Sequence, residues 1–451
     1  MANTNPARGM RDFLPAQVRR REYVISIIKE VYESYGFEPL ETPAVENLET
    51  LTGKYGEEGN QLIYKILKRG EKLEQSISEK DLSDLALRYD LTVPLARVVA
   101  NHKNDLPKFF KRYQIQPVWR ADRPARGRYR EFYQCDVDAI GSNSMIVEAE
   151  LCSAVSEILQ KLGFDDFIIR INHRDVLHGI LDAVKIEKEK QSDALVALDK
   201  LDKIGKDGVL KEFAQRDIKE NAGVKLLDLF VALETAGNTN TISRLTEFVG
   251  EQETGKDGLK ELSQILEFTN LENIKIDASL ARGLSYYTGT IMEINVPDLA
   301  GSLAGGGRYD GLVGMFGKEQ IPACGFSLGL ERILVVMEER EMFPKELETN
   351  STDVLVTLWN EESIGESLKL AGELRQQGFR VLVYPEADKL GKQFKYASQI
   401  NVPFVCVLGE NELAENKITL KNMETGEQKI IEREEAVARV KIHRQNSQSK
   451  Q

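Results

Sequence analysis

Basic side chains are concentrated in residues 108–141 of the chain, KFFKRYQIQPVWRADRPARGRYREFYQCDVDAIG. Between Lys108 and Arg130 there are eight lysines and arginines but one acid, Asp122, in a chain whose net charge is −12. Clustered like charges repel unless an anion binds among them, and arginine suits phosphate because its planar guanidinium binds two oxygens at once. The pattern favours a loop that binds polyphosphate and nucleic acid over its alternative, the solvated tip of a hairpin.

Apolar and aromatic residues on both sides of these arginines predict two strands, over residues 109–119 and 131–140, that position the loop. The most distinctive residues are Phe110-Lys-Arg-Tyr113, Val118-Trp-Arg120 and Gly127-Arg-Tyr-Arg-Glu-Phe-Tyr-Gln134. In this strand–loop–strand order they resemble motif 2 of the class II aminoacyl-tRNA synthetases, in the form of the histidyl-tRNA synthetase family.

In that family the two strands are antiparallel, and the arginine that ends the first contacts the α-phosphate of ATP and the amino-acid carboxylate. The resemblance implies this role for Arg120. It also implies that Arg128 binds ATP and that Arg126 and Arg130 contact tRNA.

Residues 87–94, LRYDLTVP, contain an acid and a hydroxyl two positions apart. On a strand Asp90 and Thr92 would share one face, whereas a surface turn is the alternative. The resemblance implies that these two side chains hold the α-ammonium group of the substrate. Asp90 stands where some bacterial relatives have Glu, and Leu91 where they have Gly.

Residues 280–289, LARGLSYYTG, resemble the peptide that is specific to histidyl-tRNA synthetases, with Ser285 where Asp is common. The resemblance implies that Arg282 contacts the α-phosphate, where related enzymes use a metal ion. It implies that Tyr286 and Tyr287 line the imidazole pocket. The set implied for histidine is Asp90, Thr92, Arg120, Gln134, Asp138, Arg282, Tyr286 and Tyr287.

Two glycine-rich segments follow. Residues 304–311, AGGGRYDG, indicate either a tight turn or a close backbone approach to a ligand, and the family places them beside the amino-acid pocket. Residues 323–332, ACGFSLGLER, predict a strand entering a helix and resemble motif 3, whose arginine, here Arg332, meets the terminal phosphate of ATP. The implied catalytic set is Arg120, Arg282 and Arg332, and no metal ligand is implied.

The N-terminal region predicts an amphipathic helix over residues 15–35, which Gly36 would end. Residues 37–43 contain two prolines and predict an extended segment at a sheet edge. Together they resemble motif 1, which builds the dimer interface in this family, so a homodimer is expected. Residues 6–12, PARGMRD, also resemble the family, but no chemistry is assigned to them.

Beyond residue 352 the pattern changes to apolar strands at 353–358, 379–384 and 403–408, separated by helical stretches at 361–377 and 388–400. This alternation predicts a small parallel α/β domain, and it resembles the anticodon-binding domain of several class II synthetases. Four of its polar residues either face RNA or form an ordinary solvated helix face: Lys389, Lys392, Gln393 and Lys395.

The motifs and the resemblance, which covers residues 6–335, imply an α+β fold. We expect a class II synthetase catalytic domain, an antiparallel sheet flanked by helices, with a helical insertion and a C-terminal α/β anticodon-binding domain. More of the main domain is the alternative for the insertion. The expected boundaries are 1–179 and 269–340 for the catalytic domain, 180–268 for the insertion, 341–351 for a linker, 352–443 for the anticodon-binding domain and 444–451 for a disordered tail.

The composition, 41% hydrophobic and 29% charged, is typical of a globular protein, and the sequence has no apolar run of membrane-spanning length. We therefore expect a cytoplasmic protein. The scattered cysteines indicate buried, reduced thiols and no zinc site: Cys135, Cys152, Cys324 and Cys406.

The resemblance implies a histidine–tRNA ligase. Its substrate would be ATP together with Mg²⁺, and it would use no zinc and no organic cofactor. Its other partners would be tRNA(His) and L-histidine. The alternative is a catalytically silent regulatory subunit of histidine biosynthesis, which would lack the anticodon domain and have a degenerate histidine-specific peptide. A module that only binds RNA would not need the paired phosphate and amino-acid motifs.

Overall fold

The structure is a computed structural model, and it describes residues 4–74, 82–281, 286–317, 319–347 and 352–448. Only the backbone is described for residues 56–58, 202–203, 346 and 445–448. The chain forms two compact units, Met1–Met342 and Phe343–Gln451. Within the described ranges, no helix has the length and apolar character needed to cross a membrane.

The strands are numbered along the chain. Strands β1 to β8 are Glu38–Pro39, Val45–Asn47, Lys65–Leu67, Ser83–Leu87, Phe110–Trp119, Glu131–Ile140, Ile168–His173 and Ile274–Ile276. Strands β9 to β16 are Thr290–Asn295, Ala304–Arg308, Ala323–Gly329, Val354–Val356, Val381–Val383, Phe404–Val407, Lys417–Asn422 and Gln428–Glu432.

The helices are numbered in the same way. Helices α1 to α9 are Pro15–Ser34, Leu48–Leu51, Gly56–Gln61, Glu71–Glu74, Thr92–Asn101, Ile146–Lys161, Arg174–Ala183, Lys188–Leu198 and Leu201–Gln215. Helices α10 to α18 are Glu220–Glu234, Asn238–Val249, Glu253–Thr269, Gly311–Gly314, Leu330–Glu339, Ile364–Gln376, Leu390–Gln399, Glu410–Ala414 and Arg433–Gln448.

The two strands predicted around the arginine-rich loop are confirmed as β5 and β6. They are antiparallel and pair without interruption from Phe110 opposite Ile140 to Trp119 opposite Glu131. Alternate side chains of a strand point to opposite faces, so Gln134, Asp136 and Asp138 share one face of β6. Cys135 and Val137, which alternate with them, are apolar and point to the opposite face of the sheet. Helices α6 and α14 cover that face.

The first unit is built on an eight-stranded sheet in the order β1-β5-β6-β11-β10-β9-β7-β8. Its centre is antiparallel, whereas β1 pairs with β5 and β7 with β8 in parallel at the two edges. Helices α6 and α14 pack on β6 and β11, and α1 packs on both helices. The predicted α1 ends as expected before Gly36, which takes a positive φ of 76°. A smaller sheet has the order β2-β4-β3.

Helices α7 to α12 connect β7 to β8 and span the region where a helical insertion is expected. The first and last of them, α7 and α12, pack against each other, and α12 also packs against α6 and β7. The ends of this segment are therefore attached to the main sheet. That residues 180–268 form an inserted module stays a prediction.

The glycine-rich segment at residues 304–308 is a strand and not a turn. It forms β10 in the interior of the sheet, paired with β9 and β11. A Cβ on Gly306 would lie 2.1 Å from the carbonyl oxygen of Gly325, so a side chain there would push the two strands apart. Consecutive glycines gave a turn signal, but here they allow close contact between strands.

The second unit has a mixed five-stranded sheet in the order β13-β12-β14-β15-β16. The predicted parallel strands are confirmed as β12, β13 and β14, but β15 and β16 are antiparallel and the sequence analysis missed them. Helix α18 continues to Gln448, into the segment expected to be a disordered tail, and residues 449–451 lie outside the described residues.

Of the polar residues considered for RNA contact on α16, Gln393 is fully buried. Its amide donates to the carbonyl oxygens of Leu358 and Asp388, each at 2.7 Å, and accepts from the Leu358 amide at 3.0 Å. It holds the helix to the segment that follows β12 and cannot face RNA. Lys389, Lys392 and Lys395 are exposed. The four cysteines are buried free thiols, as predicted.

A buried ion pair joins α6 to β10 and provides a stability prediction. Arg308 donates to both carboxylate oxygens of Glu148, at 2.7 and 2.8 Å, and both residues are almost completely buried. Glu148→Ala would leave a buried guanidinium without its counter-charge, which should cost about 3–5 kcal/mol of unfolding free energy. The measurement is chemical denaturation of the variant beside the wild-type protein.

The matched control is Glu251→Ala, which removes the fully exposed partner of Lys256. An exposed pair contributes little, so this variant should unfold close to the wild-type midpoint. Equal destabilisation by the two variants would contradict the importance of the buried pair.

Candidate active site

The polar face of β6 opens into a cleft of about 290 Å³ within the first unit. Its walls come from the β5–β6 loop, the start of α5, strands β10 and β11, and the start of α14. Nine of the residues assigned from the sequence line it together: Asp90, Thr92, Arg120, Arg128, Gln134, Asp138, Tyr286, Tyr287 and Arg332.

Glycines make the floor of the cleft. In the sheet Gly307 pairs with Gly325, which in turn pairs with Asp138. A Cβ on Gly325 would lie 1.9 Å from the Asp138 carboxylate, and a Cβ on Gly307 would lie 2.9 Å from the ring of Tyr287. Bare backbone therefore lets the carboxylate and the tyrosine ring lie against the sheet, where both line the cleft.

Asp138 is held by two partners at this floor. Its Oδ2 lies 2.7 Å from Nη2 of Arg112, and the hydroxyl of Tyr309 donates to its Oδ1. Burial raises the pKa of Asp138, while the positive charge of Arg112 and the hydrogen bond from Tyr309 oppose that rise. The carboxylate is thus oriented and charge-paired in the protein itself.

Asp136 lies two residues away on the same face of β6. It accepts hydrogen bonds from the amide of Gln134, at 3.3 Å, and from the hydroxyl of Ser327. Burial raises the pKa of Asp136 to about 7; Arg112 opposes the rise and the neighbouring Asp138 adds to it.

Asp90 and Thr92 do not lie on a strand, which was one of the two arrangements that their spacing allowed. Strand β4 ends at Leu87, and Thr92 begins α5. The Oδ1 of Asp90 accepts from the Val93 amide at 3.1 Å, one of the amides that a helix leaves unpaired in its first turn. It also accepts from the Tyr55 hydroxyl at 2.9 Å. The sequence pattern of residues 87–94 did not show that a helix begins at Thr92, because most of that helix lies beyond the segment.

The two side chains still meet in the cleft. The hydroxyl of Thr92 forms a hydrogen bond with Tyr286, whose ring packs against Tyr287 at 5.0 Å between centroids. Burial raises the pKa of Asp90, and the charge of Arg120 opposes the rise. An acid and a hydroxyl so placed are suitable ligands for an ammonium group.

Arg120 stands at the end of β5, where the resemblance puts its phosphate-binding arginine. Its Nε donates to the carbonyl oxygen of Tyr89 at 3.0 Å, and its Nη2 lies 3.4 Å from the Oε1 of Gln134. The guanidinium lies over the rings of Tyr89 and Phe132, 4.4 and 5.2 Å from their centroids. These contacts fix its plane between the floor and the loop.

Arg128 and Arg332 line the opposite end of the cleft. Arg128 pairs with Asp122 at 2.8 Å, and Arg332 donates to the carbonyl oxygen of Ser302. A Cβ on Gly127 would lie 3.1 Å from Cγ of Arg332, which shows how closely the loop packs on α14. Arginines from two separate elements therefore converge at this end, where an anion of several charges fits.

Arg126 and Arg130, assigned to tRNA, do not line the cleft. Arg126 forms a two-pronged pair with Glu339 and donates to the carbonyl oxygen of Asp298 at 2.8 Å. The amide of Arg130 donates to the Gly9 carbonyl oxygen at 2.8 Å. Both arginines hold the loop to its neighbours, and their contact with tRNA stays a prediction.

The N-terminal peptide, which had no assigned role, braces this loop. Arg11 stacks on the ring of Tyr129, 3.6 Å from its centroid, and donates to its hydroxyl at 2.9 Å.

Sequence reasoning missed several residues of the cleft, and Arg282 lies outside the described residues. The alternation of Gln134 and Asp138 along β6 was a usable signal for Asp136, which lies between them. Tyr309 belongs to the glycine-rich segment but carried no assignment. No sequence signal marked Glu331, which is buried and accepts from Arg21 at 2.8 Å and from the Tyr133 amide at 2.9 Å.

The antiparallel centre of the sheet bears a cleft lined by a strand–loop–strand arginine and by a second arginine near a strand–helix junction. This arrangement defines a class II aminoacyl-tRNA synthetase fold. Residues 9–333 match the family model described as Histidyl-tRNA synthetase, and residues 353–443 match Anticodon binding domain. The chain belongs to the histidyl-tRNA synthetase family.

Individual relatives agree. The chain is 45% identical over 440 residues to a protein named Histidine--tRNA ligase from Porphyromonas gingivalis, covering 94% of this chain and 96% of that one. A protein of the same name from Bacteroides fragilis is 43% identical, with 95% and 97% covered. The crystal structure of histidyl-tRNA synthetase from Nostoc sp. PCC 7120 has a TM-score of 0.80 and 32% identity, covering 98% of this chain and 100% of that chain.

These relatives do not favour the regulatory alternative. The most similar proteins named above are ligases, and the second unit matches the anticodon-binding model that such a subunit was expected to lack. The predicted fold class is confirmed.

The raised pKa of Asp136 predicts a pH dependence of stability. Because the folded protein keeps this proton up to about pH 7 while an unfolded Asp, with an ordinary pKa of 3.8, loses it earlier, the protonated group stabilises the fold at low pH. That contribution should be lost as the pH rises from about 4 to 7, with a slope of up to about 1.4 kcal/mol per pH unit.

The measurement is the difference in unfolding free energy between the wild-type protein and Asp136→Asn across this range. Asparagine cannot ionise, so the difference should grow in favour of the variant as the pH rises. Asp207→Asn, at an exposed position of α9, is the control and should follow the wild-type profile. A pH-independent difference for Asp136→Asn would show that Asp136 does not titrate in this range.

Proposed function

We propose that this chain is a histidine–tRNA ligase. It forms histidyl-adenylate and pyrophosphate from L-histidine and ATP, and then transfers the histidyl group to the 3′ end of tRNA(His). The observation that supports this most is the convergence, in one cleft, of the arginines expected at phosphate with the acids and tyrosines expected at histidine.

Histidine would bind on the glycine floor. Asp90, Thr92 and Gln134 are placed to hold its ammonium group, while Asp138 and Tyr287 meet the two nitrogens of its imidazole. Recognition by two directed hydrogen bonds excludes other side chains strongly, because a wrong ligand leaves buried polar groups without partners. This assignment rests on their common position at the cleft wall.

The reaction is an attack of the histidine carboxylate oxygen on the α-phosphorus, with pyrophosphate as the leaving group. The bond from the α-phosphorus to the bridging oxygen breaks, and its electron pair leaves with pyrophosphate. The protein's task is to align the two substrates and to stabilise the negative charge that builds up on phosphate oxygens. Arg120 and Arg282 would act at the α-phosphate, Arg128 along the polyphosphate and Arg332 at the leaving pyrophosphate. Mg²⁺ enters with ATP as part of the substrate.

The second unit would bind the anticodon stem of the tRNA. Its match to the anticodon-binding model supports this role. Exposed lysines lie just before α16, at Lys389, and on it, at Lys392 and Lys395. Phosphate contacts of this kind are sensitive to salt because binding releases counterions. Arg126 and Arg130 would meet the acceptor end of the tRNA at the first unit. We also infer a cytoplasmic homodimer in which α1 and β1 contribute to the interface.

Pyrophosphate exchange tests this function. We expect the purified protein to incorporate labelled pyrophosphate into ATP when histidine and Mg-ATP are present, and not when histidine is replaced by other natural amino acids. Asp138→Asn should raise the KM for histidine without changing the KM for ATP, because it removes an ionised acceptor at the imidazole. Folded protein without histidine-dependent exchange would point back to the regulatory alternative.

The role proposed for Arg282 is tested by substitution. Arg282→Ala should slow single-turnover adenylate formation by about 10²–10³-fold, the usual loss for one electrostatic contact to developing charge, and leave ATP binding nearly unchanged. Arg282→Lys should recover part of the rate, since it keeps the charge but not the two-pronged geometry.

Arg123→Ala is the matched control, because this arginine is exposed in the β5–β6 loop and does not line the cleft. Its adenylation rate should stay near that of the wild-type protein. A lowered melting temperature for Arg282→Ala, combined with a normal rate per folded molecule, would make Arg282 a structural residue instead.

A further inference from the structure

Arg112 is an arginine buried beneath the cleft, and the proposed function gives it no role. It lies on β5 with none of its surface exposed, and it is not a lining residue of the cleft. The register of the hairpin places it directly opposite Asp138, and its Nη2 lies 2.7 Å from the carboxylate. A buried guanidinium is costly to maintain unless it is paired, and its partner here is a residue of the proposed histidine site.

The guanidinium reaches both halves of the proposed histidine site. Besides Asp138, at the imidazole end, it donates from Nη2 to the carbonyl oxygen of Leu91 at 3.4 Å. Leu91 lies between Asp90 and Thr92, at the ammonium end. The Nη1 of Arg112 donates to the side chain of Gln114 at 3.0 Å, which fixes the plane of the guanidinium. One buried cation thus connects the two ends of the pocket.

Among the described residues, the carboxylates around it outnumber the nearby cations. Asp90, Asp136 and Asp138 all line the cleft and are almost completely buried. Within the part of the chain that the structure describes, six titratable groups act on Asp138 or its neighbour Asp136: Arg112 on β5, Asp136 on β6, Tyr309 after β10, Cys324 on β11, Asp90 before α5 and Tyr32 on α1. Arg112 is the one cation in this set.

Two buried carboxyl groups on one face of a strand cannot both ionise easily, and without a nearby cation they share a proton. Asp136 and Asp138 are such a pair. Arg112 is paired with Asp138 and not with Asp136, which instead accepts from the neutral groups of Gln134 and Ser327. The geometry therefore assigns the ionised state to Asp138 and leaves the proton, at a pH where the pair holds one, on Asp136.

We propose, on the basis of the proposed function, that Arg112 is the positioning residue that sets the charge of the histidine pocket. By pairing with Asp138 from the neighbouring strand, it keeps that carboxylate an acceptor, so the pocket binds the neutral imidazole through a ring N–H. A neutral imidazole has one donor and one acceptor nitrogen, and an ionised carboxylate can meet only the donor. Histidine then binds without taking up a proton.

Removal of Arg112 changes the proton count of the complex. In Arg112→Met the site lacks one positive charge, so the complex must hold one extra proton, shared between Asp138 and the imidazole. The ratio of the variant's histidine KM to the wild-type KM should then rise with pH between about 7 and 8.5, approaching tenfold per pH unit for one proton. Histidine's own titration cancels in this ratio. The KM for ATP should change less than about threefold, since Arg112 lies at the amino-acid end.

Two further variants separate charge from structure. Arg112→Lys keeps a cation opposite Asp138, so its KM ratio should be independent of pH even where its stability is lower. Lys111→Met is the matched control, because Lys111 is the adjacent basic residue of β5 and pairs with Glu150 at 3.0 Å, away from Asp138. Its KM ratio should be near one at every pH. A flat ratio for Arg112→Met, or the same slope in Arg112→Lys, would overturn the proposal.

The wild-type protein alone provides an independent test that needs no variant to fold. Isothermal titration of histidine at pH 8, in buffers of different ionisation enthalpy, measures the number of protons taken up on binding. We expect a value close to zero, and an uptake close to one proton would overturn the role of Arg112. If the wild-type protein binds no histidine at all, the proposed function fails; if it binds histidine with proton uptake, only this inference fails.

Discussion

The antiparallel register of β5 and β6 determines where the charged groups of the cleft lie. Three cross-strand pairs follow one another on the same face: Arg112 with Asp138, Gln114 with Asp136 and Gln116 with Gln134. The row continues to Arg88, which donates to Gln116 at 2.8 Å and to the carbonyl oxygen of Thr42 at 2.6 Å. A shift by one residue would turn all these side chains to the helix-covered face, so the register and the site depend on each other.

The opposite half of the cleft depends on glycines, which have no side chain. Gly306 and Gly325 allow β10 and β11 to approach closely, and Gly325 also leaves room for the carboxylate of Asp138. Glycine lowers the intrinsic stability of a strand, because it loses more backbone freedom on folding and packs no side chain. Here the neighbouring strands and the buried Arg308–Glu148 pair hold β10 in place.

The basic residues that first marked the hairpin turn out to have different tasks. Arg120 and Arg128 line the cleft, whereas Arg112 is completely buried and Arg126 is bound to Glu339 outside it. Arg130 joins the loop to the N-terminal peptide through the carbonyl oxygen of Gly9. Local charge density located a loop that borders the cleft, but it overstated how many of its charges face the cleft. Those that do not face it hold the loop in the geometry that the others need.

The sequence by itself determined the elements whose information is local. Alternating apolar and aromatic residues located β5 and β6, helical periodicity with Gly36 located α1, and motif order located the residues that meet in the cleft. Only the tertiary structure decided features that depend on distant partners. Residues 304–308 are a strand because β9 and β11 supply their hydrogen bonds, and Thr92 begins a helix whose first turn Asp90 caps. Strands β15 and β16 and the burial of Gln393 likewise depend on neighbours that no local pattern reveals. The pairing of Arg112 with Asp138 also depends on tertiary structure, because the register of the adjacent strand determines which residue lies opposite Arg112.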